Sequence, residues 1–286
     1  MGKTVLSAFI RVHPRPNDFR LCLILNAMVA LVTGGGRGIG RGIALGLAKQ
    51  GWEVAVTARS ADQLSETVRL AEGKVIAVPA DVSDRTSVKA LVRSVEFMLG
   101  PVSLLVNNAG TAGPLGPFWE SNPEEWWRCQ EVNLRGPMLC CRELLPGMIA
   151  RQAGRIINVV SGAGCRAYPD MSAYVSSKTA LIRLSEQLAL ELKPHGISVF
   201  PIMPGLVRTV MSEGARHQLP FVQKLFDDGL EVTPEVVAKL VLTLASGVAD
   251  SLSGRLFSVA DNVEENVGRS EQVQANELHL LRVRNA

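Results

Sequence analysis

The chain has 286 residues, of which 47% are hydrophobic and 20% charged, and its formal net charge is +3. This length and composition are typical of a globular protein with one large α/β domain or two small ones, and they exclude fibrous and collagen-like chains. Lysine and arginine are scattered among acidic residues without a basic stripe. We therefore expect a small-molecule partner and no nucleic acid.

The cysteines are five in number, which is odd, and they lack metal-ligand spacing. This pattern favours free thiols in a reducing compartment, so we expect a cytoplasmic protein without a bound metal. The five are Cys22, Cys129, Cys140, Cys141 and Cys165.

The first 27 residues are rich in arginine and poor in acidic residues. They admit three interpretations: an organelle presequence, a disordered arm, or an upstream extension with Met28 as the natural start. We favour the last two, because no clear cleavage signal or amphipathic period is visible. The longest apolar run, 21–32, falls short of the roughly 18 residues that a membrane span needs, so we expect no membrane association.

From Met28 onward, short apolar runs alternate with longer helical patterns, which predicts parallel strands joined by crossover helices. The predicted strands are 29–33, 53–58, 74–79, 103–107, 154–161, 197–203 and 256–259. The predicted helices begin near Ile39, Ala61, Asp84, Pro123, Ala173 and Pro234.

These elements predict an α/β fold with a doubly wound, Rossmann-type, mostly parallel seven-stranded sheet flanked by helices. No internal repeat or polar linker divides the chain, so residues 28–261 are expected to form a single dinucleotide-binding and catalytic domain. Residues 262–286 would form a tail packed on the domain or on a partner subunit. Imperfect alternation over 278–284 predicts a strand or edge segment there, pairing with a subunit or covering the pocket.

A glycine-rich stretch, TGGGRGIG at 33–40, follows the first predicted strand and opens into a helix. Glycines allow a tight turn and close backbone approach, and a helix start presents free amides and a positive dipole to a pyrophosphate. A glycine-rich match alone also suits a flexible surface turn. Its position between strand and helix favours a dinucleotide site.

Two arginines near this turn bear on the choice of dinucleotide. The second predicted strand ends without the acidic residue that would bind a ribose diol, and Arg59 follows it instead. Arg37 lies in the glycine turn itself. Because arginine matches phosphate oxygens in a bidentate fork, we expect NADP, with NAD as the less favoured cofactor.

Polar residues follow further strands in chain order: Asp81, Asn107, Asn108 and Ser161. Together with Asn133, Tyr174 and Lys178 they resemble the short-chain dehydrogenase/reductase family, and the resemblance covers nearly all of 28–261. It implies a catalytic tetrad of Asn133, Ser161, Tyr174 and Lys178. It also implies that these residues contact the cofactor: Gly34, Arg37, Gly38, Ile39, Gly40, Arg59, Asp81, Val82, Asn108, Ala109, Gly110, Tyr174, Lys178, Pro204, Gly205, Val207 and Thr209.

Within this resemblance, Asp81 would hold the adenine amino group, and Val207 and Thr209 would contact the nicotinamide carboxamide. Asn107 looks more like a residue that stabilises the sheet.

Tyr174 and Lys178 are four residues apart on a predicted helix and therefore share one face. An ammonium about 4 Å from a phenol lowers its pKa by roughly three units at an effective dielectric near 20, although burial opposes this. An oxidised nicotinamide would add a second positive charge. Tyr174 could then exchange a proton with a carbonyl or alcohol while Ser161 stabilises the oxygen.

The segment 206–229 interrupts the regular alternation, and we expect it to form a lid over the substrate. His217 within it is expected to be a solvated loop residue. Ser161, Ala163 and Tyr174 are the expected substrate contacts. The neighbouring residues predict small, apolar pocket walls: Gly162, Ala163, Gly164, Cys165, Tyr168 and Met211.

These walls suit a moderately hydrophobic ketone, alcohol or 3-oxoacyl group. The sequence therefore favours an NADP-dependent carbonyl reductase or alcohol dehydrogenase that works as a homodimer or homotetramer. A non-catalytic NADP-sensing regulator on the same fold is the alternative. An epimerase or dehydratase is a third possibility, but such relatives have a second domain and a differently spaced glycine turn.

Overall fold

The structure is a computed structural model that describes residues 28–282. The expectations for residues 1–27, including Cys22, and for residues 283–286 lie outside this range. Among the described residues, the remaining four cysteines are free thiols. No helix in 28–282 has the length and apolar character that a membrane span requires.

Seven parallel strands form the central sheet, which confirms the predicted fold class. The bounds are β1 Val29–Thr33, β2 Glu53–Thr57, β3 Val75–Ala77, β4 Leu104–Asn107, β5 Gly154–Val159, β6 Ile197–Met203 and β9 Phe257–Ser258. Their order in the sheet is β3-β2-β1-β4-β5-β6-β9. The inner strands are continuous apolar runs because helices cover both faces of a parallel sheet.

The six predicted helix starts each fall within one residue of a helix in the structure. Side-chain caps explain three of them, since Ser60, Asp84 and Asn122 accept hydrogen bonds from the first-turn amides. The long helices are α1 Gly38–Lys49, α2 Ala61–Leu70, α3 Arg85–Leu99, α4 Pro123–Gln130, α5 Gly136–Arg151, α6 Ser172–Leu192 and α9 Pro234–Ala245.

Two apolar cores lie on opposite faces of the sheet. Leu47 of α1 and Val241 of α9 belong to one of them, together with alternate residues of the strands. Leu91 of α3 and Leu144 of α5 belong to the other. All four of these side chains are almost fully buried. The sheet is thus held rigidly between two helical layers, and its strand ends form a fixed platform.

The segment 206–229, expected to be an irregular lid, is mostly regular in the structure. It contains β7 Leu206–Val207, α7 Val210–Arg216 and α8 Pro220–Asp227, and β7 pairs in parallel with β8 Glu231–Val232. Thr209 and Ser212 form a capping box at the start of α7. His217 is exposed at the end of α7, as expected for a solvated residue.

The prediction of a strand in the tail is wrong for the described residues. The tail contains two short helices, α10 Val263–Gly268 and α11 Ser270–Ala275, and no strand follows them up to Arg282. Val263 of α10 and Val273 of α11 are both buried in the core, so each short helix contributes one apolar side chain to it. The imperfect alternation at 278–284 was therefore too weak a signal to identify a strand.

Candidate active site

A cleft of about 410 Å³ opens at the carboxyl ends of the strands. The cleft is lined by residues that follow six of the seven strands of the sheet. The position of the cleft therefore depends on the sheet rather than on any single loop. Fourteen of the predicted site residues lie on its wall: Gly34, Arg37, Gly38, Ile39, Arg59, Asp81, Val82, Asn108, Ala109, Gly110, Tyr174, Lys178, Pro204 and Thr209.

The glycine turn between β1 and α1 uses the freedom that glycine provides. Gly34 and Gly38 have φ values of +65° and +53°, which favour glycine. A Cβ on Gly40 would lie 2.3 Å from the Gly34 carbonyl oxygen and 2.4 Å from Nδ2 of Asn108. Gly40 does not line the cleft, but because it has no side chain, α1 can approach the turn closely.

The loop after β4 is fastened to this turn. The Thr33 hydroxyl accepts hydrogen bonds from the backbone amides of Asn108 and Ala109, both at 3.0 Å. The Asn108 side chain donates to the Thr33 carbonyl at 2.9 Å. These bonds hold residues 108–110 against the glycine turn, where the family resemblance places the cofactor.

Arg41, which the sequence patterns did not single out, links the glycine turn to α2. Its guanidinium donates to the carbonyl oxygen of Gly36 and to the hydroxyl of Thr67 on α2. The Thr67 hydroxyl in turn donates to the Gly35 carbonyl at 2.9 Å. The turn therefore has a defined shape set by α2.

Arg37 and Arg59 are exposed on the cleft wall, one in the glycine turn and one directly after β2. Neither forms an ion pair with a carboxylate of residues 28–282. The start of α2, capped by Ser60, lies next to Arg59. Two guanidinium groups and a helix N-terminus thus meet at one end of the cleft.

Asp81 lies on the cleft wall in an ion pair. Its carboxylate accepts hydrogen bonds from the amide and hydroxyl of Ser83 at 2.9 and 2.6 Å and from Arg128 at 2.8 Å. Burial raises the pKa of this carboxyl, but the bonds from Ser83 and Arg128 outweigh burial, so the pKa lies below its usual value. Asp81 is therefore ionised at neutral pH.

Asn133 is fully buried and does not reach the cleft wall. It lies in a π-helical turn, Glu131–Arg135, between α4 and α5, and such turns are rare and frequent at functional sites. Its side chain accepts a hydrogen bond from the Thr111 amide at 2.8 Å and donates to the Ser177 hydroxyl at 3.0 Å. Asn133 thereby joins the loop after β4 to α6.

Tyr174 and Lys178 lie one turn apart on α6 and both line the cleft. The Lys178 ammonium donates to the carbonyl oxygen of Val159 at 2.8 Å and lies 5.8 Å from the centre of the Tyr174 ring. Gly110 lies beside it, since a Cβ there would be 3.7 Å from the Lys178 nitrogen and 3.3 Å from Oδ1 of Asn133. The predicted residues Asn133, Tyr174 and Lys178 are thus brought together.

In this structure burial raises the pKa of the Tyr174 phenol, and the Ser161 hydroxyl opposes that rise only in part. The lowering expected from Lys178 together with an oxidised nicotinamide stays a prediction. Burial also lowers the pKa of Lys178 to about 8. Desolvation is the largest cause of both shifts.

Ser161 follows β5 at the edge of the cleft rather than on its wall. Its hydroxyl accepts a hydrogen bond from the Ala163 amide at 3.2 Å and lies close enough to the Tyr174 phenol to lower its pKa. A hydroxyl group from the loop after β5 and one from α6 therefore approach each other at this end of the cleft.

The residues predicted to form the substrate wall do not all line the cleft. Met211 lines the cleft, but Ala163, Cys165 and Tyr168 do not. Tyr168 instead stacks on Phe221 of α8, with ring centres 4.8 Å apart. This stack could not be foreseen, because the helix in the segment 206–229 that carries Phe221 was not predicted.

Two predicted cofactor residues after β6 also lie off the cleft wall. Val207 is 4% exposed and packs into the core, and Gly205 forms a left-handed bend with a φ of +71°. Pro204 and Thr209 on either side do line the cleft. Val207 and Gly205 therefore shape the path of the chain here.

Comparison with known proteins gives a consistent result. The sequence model of the family described as short chain dehydrogenase matches residues 28–220. A short chain dehydrogenase of Pseudocercospora fijiensis is 40% identical over 212 residues, which are 70% of this chain and 68% of that protein. The 2-(S)-hydroxypropyl-CoM dehydrogenase 3 of Xanthobacter autotrophicus is 35% identical over 81% of this chain and 94% of its own.

Solved structures show the same fold. A variant of actinorhodin polyketide ketoreductase with NADPH is 32% identical, with a TM-score of 0.77 over 83% of this chain and 97% of its own. A putative short-chain alcohol dehydrogenase from Sinorhizobium meliloti is 30% identical, with a TM-score of 0.76 over 81% of this chain and 94% of its own. The family model, the relatives and the arrangement of the cleft agree that this chain belongs to the short-chain dehydrogenase/reductase family.

Proposed function

We propose that the protein is an NADP-dependent oxidoreductase that interconverts a ketone and an alcohol, with Tyr174 as the proton donor and acceptor. The observation that carries this proposal is the single cleft that joins the glycine turn to Tyr174 and Lys178. The Ser161 hydroxyl, which lies close enough to the Tyr174 phenol to lower its pKa, completes the reacting end.

The residues of the cleft fit the cofactor. The glycine turn leaves room for a pyrophosphate at the start of α1, since the backbone there carries no Cβ at Gly34, Gly36 or Gly38. Arg37 and Arg59 would hold a 2′-phosphate, and Asp81 would hold the adenine amino group. When bound, NADP supplies or accepts the hydride, and the protein positions it.

The chain's own residues perform the proton chemistry. Tyr174 is protonated at neutral pH because burial raises its pKa, so it can donate its proton to a carbonyl oxygen. Ser161 donates a hydrogen bond to the same oxygen as negative charge develops there. Lys178 is held near the phenol by the Val159 carbonyl and is positioned to return a proton to it. In the reverse direction, Tyr174 accepts the proton from the alcohol.

A moderately hydrophobic ketone, such as a 3-oxoacyl group, is the substrate class that suits this site. Met211 and Val210 line the cleft and are apolar and partly exposed. Similarity to a polyketide ketoreductase and to a hydroxypropyl-CoM dehydrogenase supports a substrate with a carbonyl or hydroxyl next to an apolar chain. A panel of such ketones and alcohols, followed by nicotinamide absorbance, would identify the preferred one.

The substitution Tyr174→Phe tests the function directly. It removes the phenolic proton but keeps the ring, so the variant should bind NADPH normally while its turnover falls by about 10²–10⁴-fold. The control is Tyr168→Phe, since the chain has only two tyrosines and Tyr168 lies off the cleft wall. Retention of most activity by Tyr174→Phe would contradict the proposed proton route.

A further inference from the structure

A third arginine lines the cleft, and the proposed chemistry does not use it. Arg128 on α4 donates through one nitrogen to Asp81 Oδ2 at 2.8 Å. Its other terminal nitrogen donates to the Ser83 hydroxyl at 2.6 Å and to Glu131 at 3.1 Å. One guanidinium therefore joins α4 and the π-helical turn to the loop after β3.

These contacts leave the Asp81 carboxylate little freedom to rotate. Oδ1 accepts two hydrogen bonds from Ser83, and Oδ2 accepts one from Arg128. A carboxylate offers about four acceptor sites, so roughly one remains, on Oδ2. Because Asp81 lines the cleft, that site is available to a ligand group that donates a hydrogen bond.

We propose that Arg128 is a positioning residue that orients the Asp81 carboxylate so that the cleft selects a purine with a 6-amino group over one with a 6-oxo group. This inference rests on the proposed function, because it concerns the adenine end of the same cofactor. Arginine suits the task, since its planar fork holds the carboxylate and the Ser83 hydroxyl at once.

The selection follows from donor and acceptor chemistry. An ionised carboxylate only accepts hydrogen bonds, so it pairs with the N–H of a 6-amino group and repels the lone pairs of a 6-oxo group. Without Arg128, Oδ2 loses its fixed neighbour and the carboxylate can turn about its bond to Cβ. Its remaining acceptor site then no longer points consistently at one position of the base.

Titration calorimetry on the full chain with NADP⁺ and with its hypoxanthine analogue tests this inference. The wild-type protein should bind NADP⁺ more tightly, and Arg128→Met should reduce that preference by roughly threefold to tenfold, as expected for a partly exposed ion pair. The matched control is Arg135→Met. Arg135 donates to the backbone carbonyl of Ser83 in the same loop but does not touch the carboxylate, so this variant should keep the preference.

A second measurement separates positioning from a general structural effect. If Arg128 acts through Asp81, then Arg128→Met should cause no further loss of preference in an Asp81→Asn background. Arg128→Lys, which keeps the charge without the fork, should retain part of the preference and also serves if Arg128→Met folds poorly. Three results would overturn this inference but not the proposed function. They are an unchanged preference in both Arg128 variants, an equal loss of preference in Arg135→Met, and additive losses when Arg128→Met is combined with Asp81→Asn. Failure of the wild-type protein to bind either dinucleotide would overturn the proposed function as well.

Discussion

Tyr174 and Lys178 are both desolvated, and desolvation acts on their pKa values in opposite directions because their charged forms have opposite sign. It raises the pKa of the phenol and lowers that of the ammonium to about 8. The phenol is thereby kept protonated, which is the form that the proposed reduction of a ketone requires. The positive charge of an oxidised nicotinamide would favour the phenolate when the reaction runs towards the ketone.

The buried Lys178 should leave a signature in the pH dependence of stability. Its pKa is about 8 in the folded protein and returns to about 10.5 on unfolding, so between these values the unfolded state binds more protons. Stability therefore rises with pH in this window. Relative to Lys178→Met, the wild-type protein should gain about 1.5 kcal/mol in free energy of unfolding from pH 8 to 9.5.

Denaturant titrations at several pH values would measure this difference. The exposed Lys193 provides the control, because Lys193→Met also removes a lysine but not a buried one. A difference between wild type and Lys178→Met that stays constant over this range would show that Lys178 is not desolvated as described.

Arg37 and Arg59 decide cofactor choice if the proposed function is correct. Replacement of both by glutamine removes two charge-assisted contacts to a 2′-phosphate and none to the rest of the cofactor. KM for NADPH should rise by about 100-fold or more, while KM for NADH should change by less than about threefold. Steady-state kinetics with both cofactors would measure this, and equal effects on the two would contradict the assignment.

At the scale of elements, the seven strands and the six helix starts could be predicted from the sequence. Buried parallel strands are continuous apolar runs, and caps such as Asn122 before Pro123 mark helix starts locally. The helices of 206–229 and of the tail are short, with too few turns for a clear period. Contacts such as Arg128 with Asp81 join residues far apart in sequence, which a local pattern does not reveal.

The glycine turn allows a test of how far the cofactor site depends on the close packing of helix α1. A Cβ at Gly40 would overlap the Gly34 carbonyl, so Gly40→Ala should destabilise the protein by about 1–3 kcal/mol and weaken NADPH binding. Gly214→Ala in α7 is the control, since nothing lies within 4 Å of its added Cβ. That variant should be about 0.5–1 kcal/mol more stable. Thermal unfolding and NADPH titration would compare them, and equal behaviour would refute the steric argument.

At the scale of the whole molecule, helix α6, which carries Tyr174 and Lys178, is also the surface against which the tail packs. Glu186 of α6 forms an ion pair with Arg282 at 2.7 Å, and Arg183 donates to the Leu281 carbonyl. The backbone amide of Leu256 donates to the His279 carbonyl at 2.8 Å. The chain beyond α11 therefore contacts both α6 and Leu256, the residue directly before β9.

Two truncations separate the parts of the tail. A chain ending at Asn276 keeps α10 and α11 but loses these contacts, so it should fold with its free energy of unfolding lowered by about 1–3 kcal/mol. A chain ending at Asn262 also loses Val263 and Val273, which are 6% and 2% exposed, and each buried valine contributes about 1.5–3 kcal/mol. Its loss should be at least twice as large, measured by denaturant unfolding. Equal stability of the two truncated chains would mean that α10 and α11 do not complete the core, and that the domain closes with β9.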